Sequence, residues 1–95
     1  MPIMTREYIR QRMEEKGIPV EMQGGLERYL FDRISPGHFL TAVLENNLRE
    51  AFSRGDLENT RVLRNYVLFL YNDVPANCWG SRERVTEWLG RKERS

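Results

Sequence analysis

The stretch "SPGHFLTAVLENNLREAFSRG", residues 35–55, decides the fold class. Phe39, Leu40, Val43, Leu44, Leu48, Ala51 and Phe52 recur at three- and four-residue intervals, the spacing of one face of an α-helix. Ser35 suits the N-cap, Pro36 the first helical position and Gly55 the stop. Glu45–Arg49 and Glu50–Arg54 are i,i+4 pairs in the favourable order, so the opposite face is expected to be solvated and laced with ion pairs. The spacing predicts one helix over residues 36–54 with a broad buried face.

Its neighbours read the same way. "DLENTRVLRNYVLFLYND", residues 56–73, follows after a turn of one or two residues. Asp56 caps it, and Leu57, Leu63, Tyr66, Val67, Leu70 and Val74 mark its inward side. So short a connection makes these two helices antiparallel neighbours. The β-branched and aromatic run 66–71 has a strand-like composition, but nothing near it offers a strand partner. Residues 5–16 start at Thr5 and stop at Gly17, with a narrow stripe of Tyr8, Ile9 and Met13, which predicts a weakly anchored helix. Residues 19–33 begin at Pro19 and carry Met22, Leu26, Tyr29, Leu30 and Phe31 mainly on one side. Gly24-Gly25 interrupts them: either the helix starts near Gly25, or another backbone comes close there. Pro75 stops a helix, Ser81 caps the last one, Val85, Trp88 and Leu89 face inward, and Gly90 ends it. Four to five helices joined by short turns predict a small all-α bundle forming one domain over residues 1–95. Residues 1–4 and 91–95 are expected to fray.

The bulk properties narrow the function. Ninety-five residues form a thin core when helical, so self-association into a homo-oligomer is expected to bury what remains. Fifteen basic and fourteen acidic residues leave the chain almost neutral, which argues against a general nucleic-acid binder. Of the basic residues thirteen are Arg, whose planar fork suits carboxylate and phosphate; an arginine-rich genome is the plainer explanation. One Cys cannot form an internal disulfide or build a zinc site. The N-terminus lacks the apolar core of a signal peptide, and no run approaches a membrane span, so a cytoplasmic protein is expected.

Few residues nominate a chemistry. Cys78 would need a base, and the only His is His38, forty residues away at a helix start, with no local motif to join the two. A Cys-dependent enzyme is therefore the weakest reading, and no catalytic residue, cofactor or metal is expected. No phosphate loop, dinucleotide fingerprint, nucleophile elbow or metal-ligand spacing is present. Anion capture is more attractive. Arg33 precedes a helix start formed by Pro36, Gly37 and His38, and Trp79 precedes a second at Ser81 and Arg82. Tyr71 or Trp79 could stack on a ligand. Asn72, like Asn46, Asn47, Asn59 and Asn65, occupies a position where helix propensity gains nothing from Asn. Such amides either tie corners together or read a ligand. The plainer alternative is that the serines cap and Trp79 packs.

"GGLERYLFDRISPGHFLTAVLENNLREAF", "RGDLENTRVL" and "FLYNDVPANCWGS" together resemble a group of small phage and prophage proteins with no assigned activity. Their pattern runs G-L-x-R-Y, then P-G-x-F-L-x-A-V-L-x-N, then L-Y-N-x-x-P-x-x-C-W-G-S, and it covers residues 24–89. The resemblance implies a phage accessory protein acting in the bacterial cytoplasm, where such proteins bind host proteins or sequester nucleotide signals of antiviral defence. The expected function is thus non-enzymatic binding of a phosphate-bearing small ligand. The alternative is a module that inhibits or recruits a host protein.

Overall fold

Residues 4–90 are described by a computed structural model, and every regular element among them is helical. They are α1 (Arg6–Glu15), α2 (Val20–Glu27) continuing into a π turn (Arg28–Asp32), α3 (His38–Leu44), α4 (Leu48–Arg54), α5 (Leu57–Arg61), α6 (Leu63–Asp73), a 3-10 turn (Ala76–Cys78) and α7 (Arg82–Gly90). The all-α expectation holds. Residues 1–3 and 91–95, expected to fray, lie outside the described residues, while Met4 packs against the core. Among the described residues no helix is long and apolar enough to cross a membrane.

The long helix expected over residues 36–54 is two short ones. Asn46 adopts φ 62°, its N–H donates to the Val43 carbonyl at 3.0 Å, and the Asn47 N–H donates to the Ala42 carbonyl at 2.8 Å. This paired closure is the Schellman C-terminus, and Asn tolerates its left-handed position better than most non-glycine residues. The Asn47 side chain then accepts from the Glu50 N–H at 3.2 Å and starts α4. Asn46 ends one helix and Asn47 begins the next. Glu45 thereby becomes the C-cap of α3 while Arg49 lies on α4, whereas Glu50 and Arg54 keep their pair at 3.5 Å.

The start of α3 also differs from expectation. It begins at His38, with extended Gly37 before it and no side-chain cap. Ser35 and Pro36 belong to the connection from α2, where Pro36 lies beside Gly25. α2 starts before the glycine pair, at Val20, and a Cβ on Gly25 would come within 3.2 Å of Leu40 Cδ1, so Gly25 makes room for a side chain of α3 and not for another backbone. The segment 56–73 is likewise split: Asp56 caps α5 by accepting from the Asn59 N–H at 2.8 Å, and Val62 breaks the helix before α6.

Fully buried Ile9, Met13, Leu26, Tyr29, Leu30, Leu44, Tyr66, Phe69, Leu70, Cys78 and Val85 form the centre. Three expected inward residues face solvent on the redirected helices: Leu48, Phe52 and Leu57. Val67 is exposed too. The buried phenols and the buried indole are paired. Tyr29 Oη donates to the Cys78 carbonyl at 2.6 Å, and Trp88 Nε1 donates to the Tyr29 carbonyl at 3.0 Å. Tyr66 Oη donates to Asn59 Oδ1 at 2.6 Å. Burial pushes both phenols well above their ordinary pKa, so they stay protonated donors.

α1 is held more firmly than its narrow stripe predicts. Besides burying Ile9 and Met13, it sends Arg6 and Arg10 to Glu27 at 2.8 and 2.7 Å, Arg6 also to Asp32, and Arg12 to buried Asp73 at 2.9 Å. Hydrogen bonds from Arg10 and Arg6 hold the Glu27 carboxyl down at about 2. Its folded pKa lies below its unfolded value of 4.5, so this stabilisation is complete above pH 4.5 and is lost as pH falls toward 2. With solvent screening of the exposed arginines, it amounts to about 1–2 kcal/mol. Glu27→Gln is expected to lower stability by about that amount at pH 7 and by little near pH 2. Urea unfolding at the two pH values checks this, and an equal loss at both would refute it.

Candidate functional site

The predicted ligand residues do not form one cavity. Pro36, Gly37 and His38 line a cleft of about 410 Å³ with Thr41, Glu45, Asn47, Glu50 and Arg54. The helix ends build this cleft: the α2–α3 connection forms one wall and the start of α4 the other. Sequence reasoning missed the two glutamates and Arg54 there, because only the break at Asn46-Asn47 folds α4 back toward the start of α3. Two carboxylates against one Arg make the cleft slightly acidic at neutral pH. Gly37 is extended, at φ −66° and ψ 176°, and a Cβ there would meet nothing within 4 Å, so the cleft mouth is open at that point.

Arg33 is elsewhere and already engaged. Its guanidinium carbon lies 3.6 Å from the centre of the Trp88 ring, and Nη1 donates to the Leu30 carbonyl at 2.6 Å. Its Nε is enclosed without a hydrogen bond, and its backbone occupies the left-handed region at φ 57°. Arg33 therefore closes the π turn and stacks on α7, as a structural cation. Arg33 does not line the cleft, and its side chain lies over Trp88 of α7.

The second predicted helix start is present. Ser81 Oγ accepts from the Arg84 N–H at 3.1 Å, and Arg84 Nη1 donates back to the carbonyls of Ala76 and Trp79 at 3.1 and 3.3 Å. Gly80, at φ 112°, donates its N–H to the Leu44 carbonyl at 2.7 Å, pinning this corner to the end of α3. Trp79 is half-buried and packs against the core. Arg82 is exposed beside Glu83 and Glu87, which reduces its pull on an anion. Tyr71 is exposed on α6, and the Asn72 side chain donates to the Leu68 carbonyl at 2.9 Å. Asn46, Asn47, Asn59 and Asn72 thus all serve helix ends or internal pairs.

Cys78 is fully buried, and the carbonyl of the same residue holds the Tyr29 phenol, while His38 is exposed on the cleft. Among the described residues no group of three or more His, Cys, Asp or Glu could hold a metal ion. The most conspicuous surface feature is apolar. Leu48, Phe52 and Leu57 on α4 and α5 are 71%, 66% and 86% exposed, and Ala51 is the one buried residue of α4. The sequence signal for this face was the Asn46-Asn47 pair, read as one continuous helix. No family model, curated protein or solved structure matches this chain.

Burial predicts an inert thiol. Native alkylation of Cys78 is expected to run at least about a hundredfold slower than in denaturant, since it requires opening of the core. Mass spectrometry of iodoacetamide-treated protein measures this. Fast native labelling would revive a catalytic role.

Proposed function

We propose that the protein is a non-enzymatic docking module that binds another protein through the apolar face of α4 and α5. The observation carrying this reading is the exposure of Leu48, Phe52 and Leu57 on two short helices whose own cores are minimal. Leu48 and Phe52 are one helical turn apart and Leu57 follows the Gly55 turn, so large apolar side chains cluster along a short stretch of chain. Exposed apolar residues of this size, bordered by charges such as Arg49 and Glu58, are typical of protein-recognition surfaces. The resemblance to phage proteins supplies the setting, a host protein in the bacterial cytoplasm that the module blocks or recruits. The buried thiol agrees with binding in place of cysteine chemistry.

The test is affinity capture from bacterial lysate with the wild type, Phe52→Glu and Leu57→Glu, each variant first shown to keep its helical signal. A single stoichiometric partner is expected with the wild type, and each substitution should weaken its capture about tenfold or more. No such partner, or one indifferent to both changes, would sink the proposal.

A second reading keeps phosphate capture, including a nucleotide signal, and rests on His38 and Arg54 beside Pro36 and Gly37 in the cleft. Glu45 and Glu50 on the same walls oppose it, which ranks it below protein docking. Calorimetry against cyclic di- and trinucleotides and ADP-ribose should give heat that Arg54→Ala removes. Absence of heat for all of them would end this reading.

A further inference from the structure

α6 is built with two helix-packing seams. Tyr66, Phe69, Leu70 and Asp73 are buried at i, i+3, i+4 and i+7 spacing. The same spacing, two residues earlier, recurs on the other side as Arg64, Val67, Leu68 and Tyr71. Val67 is 47% and Tyr71 76% exposed; Arg64 is exposed and Leu68 half-buried. At helical geometry these four fall within about 100° of the circumference, the width of a stripe that faces another element. The acid of α6, Asp73, points inward, so the outer seam holds one cation and no anion.

We propose that this seam pairs with the same seam of a second copy, antiparallel, about a two-fold axis between Val67 and Leu68. The register follows from complementarity within the seam. Arg64 and Tyr71 lie equally far from that axis, so each guanidinium faces the partner's Tyr71, and Val67 faces the partner's Leu68. Cation–aromatic contact is already this chain's habit: Arg6 lies over Phe31 at 5.1 Å and Arg33 over Trp88 at 3.6 Å. The two Arg64 side chains sit about 10 Å apart along the axis, near the screening length of physiological salt. A parallel pairing would instead set Arg64 against Arg64. One eleven-residue helix offers less than a standard interface, so the dimer is weak, with a dissociation constant of about 10 μM to 1 mM. The seam shares no residue with the α4–α5 face and does not depend on its reading.

Sedimentation velocity over concentrations from about 5 μM to about 1 mM should show the wild type passing from monomer toward dimer. Tyr71→Arg opposes two cations and should raise the dissociation constant about tenfold or more. The double variant R64E/Y71R restores opposite charges and should return it to within about threefold of wild type. The altered side chains are exposed, so circular dichroism of the monomers should be unchanged. A wild type that stays monomeric at the top concentration overturns the proposal. So does a dimer indifferent to Y71R, a double variant as weak as Y71R, or occupation of the seam by another protein's helix while the chain itself stays monomeric.

Discussion

Tyr29 ties the molecule together. Its phenol donates to the Cys78 carbonyl while its own carbonyl accepts from the Trp88 indole, so one residue joins the end of α2, the turn before α7 and α7 itself. Both bonds are buried, and losing either partner would strand a polar group in the core, at a cost of about 1–3 kcal/mol. The π turn at residues 28–32 belongs to the same arrangement, since a widened turn leaves carbonyls turned away from the regular helical ladder. Arg33 completes it by ending the turn in the left-handed conformation and stacking on the Trp88 ring. The corner "NCWGS" is thus a joint, with Cys78 buried as packing and Gly80 held to α3.

Around that joint the helices differ in how much they give to the core. The core is assembled mainly from α1, α2, α3, α6 and α7, while α4 contributes Ala51 and α5 contributes Asn59. Helices that give so little to the core can present large apolar side chains outward at small cost to folding. α6 does both, burying one seam and exposing another. α1 is anchored differently, by ion pairs to α2, the π turn and α6 around a small apolar contact. A thin core therefore coexists with two exposed apolar surfaces and an electrostatic brace.

Much of this was legible in the residues. Thr5, Asp56 and Ser81 act as the caps their types suggest, and Gly17 supplies the left-handed stop of α1. The buried set Leu26, Tyr29, Leu30, Tyr66, Leu70, Val85 and Trp88 follows from three-and-four spacing. The misplaced apolar residues of α4 and α5 share one cause. Three-and-four spacing runs unbroken across Asn46-Asn47 and Val62, where the chain turns, so it points Leu48, Phe52 and Leu57 at a core they do not reach. Two adjacent asparagines in the middle of a helical pattern were the available warning, since Asn both tolerates the left-handed position and caps. Arg33 looks like an anion ligand from its neighbours alone, because nothing local reveals that Trp88, fifty-five residues later, lies under it.

By itself the sequence determined the helical class, the caps and the apolar residues able to build a core, because these depend on propensity and spacing within a few residues. Only the tertiary structure decided which way each short helix points. A helix break rotates every later side chain by an amount set by the backbone at the break and by what the next helix can pack against. In this protein those rotations separate a buried Ala51 from an exposed Phe52, and a structural Arg33 from a cleft lined by Arg54 and two glutamates.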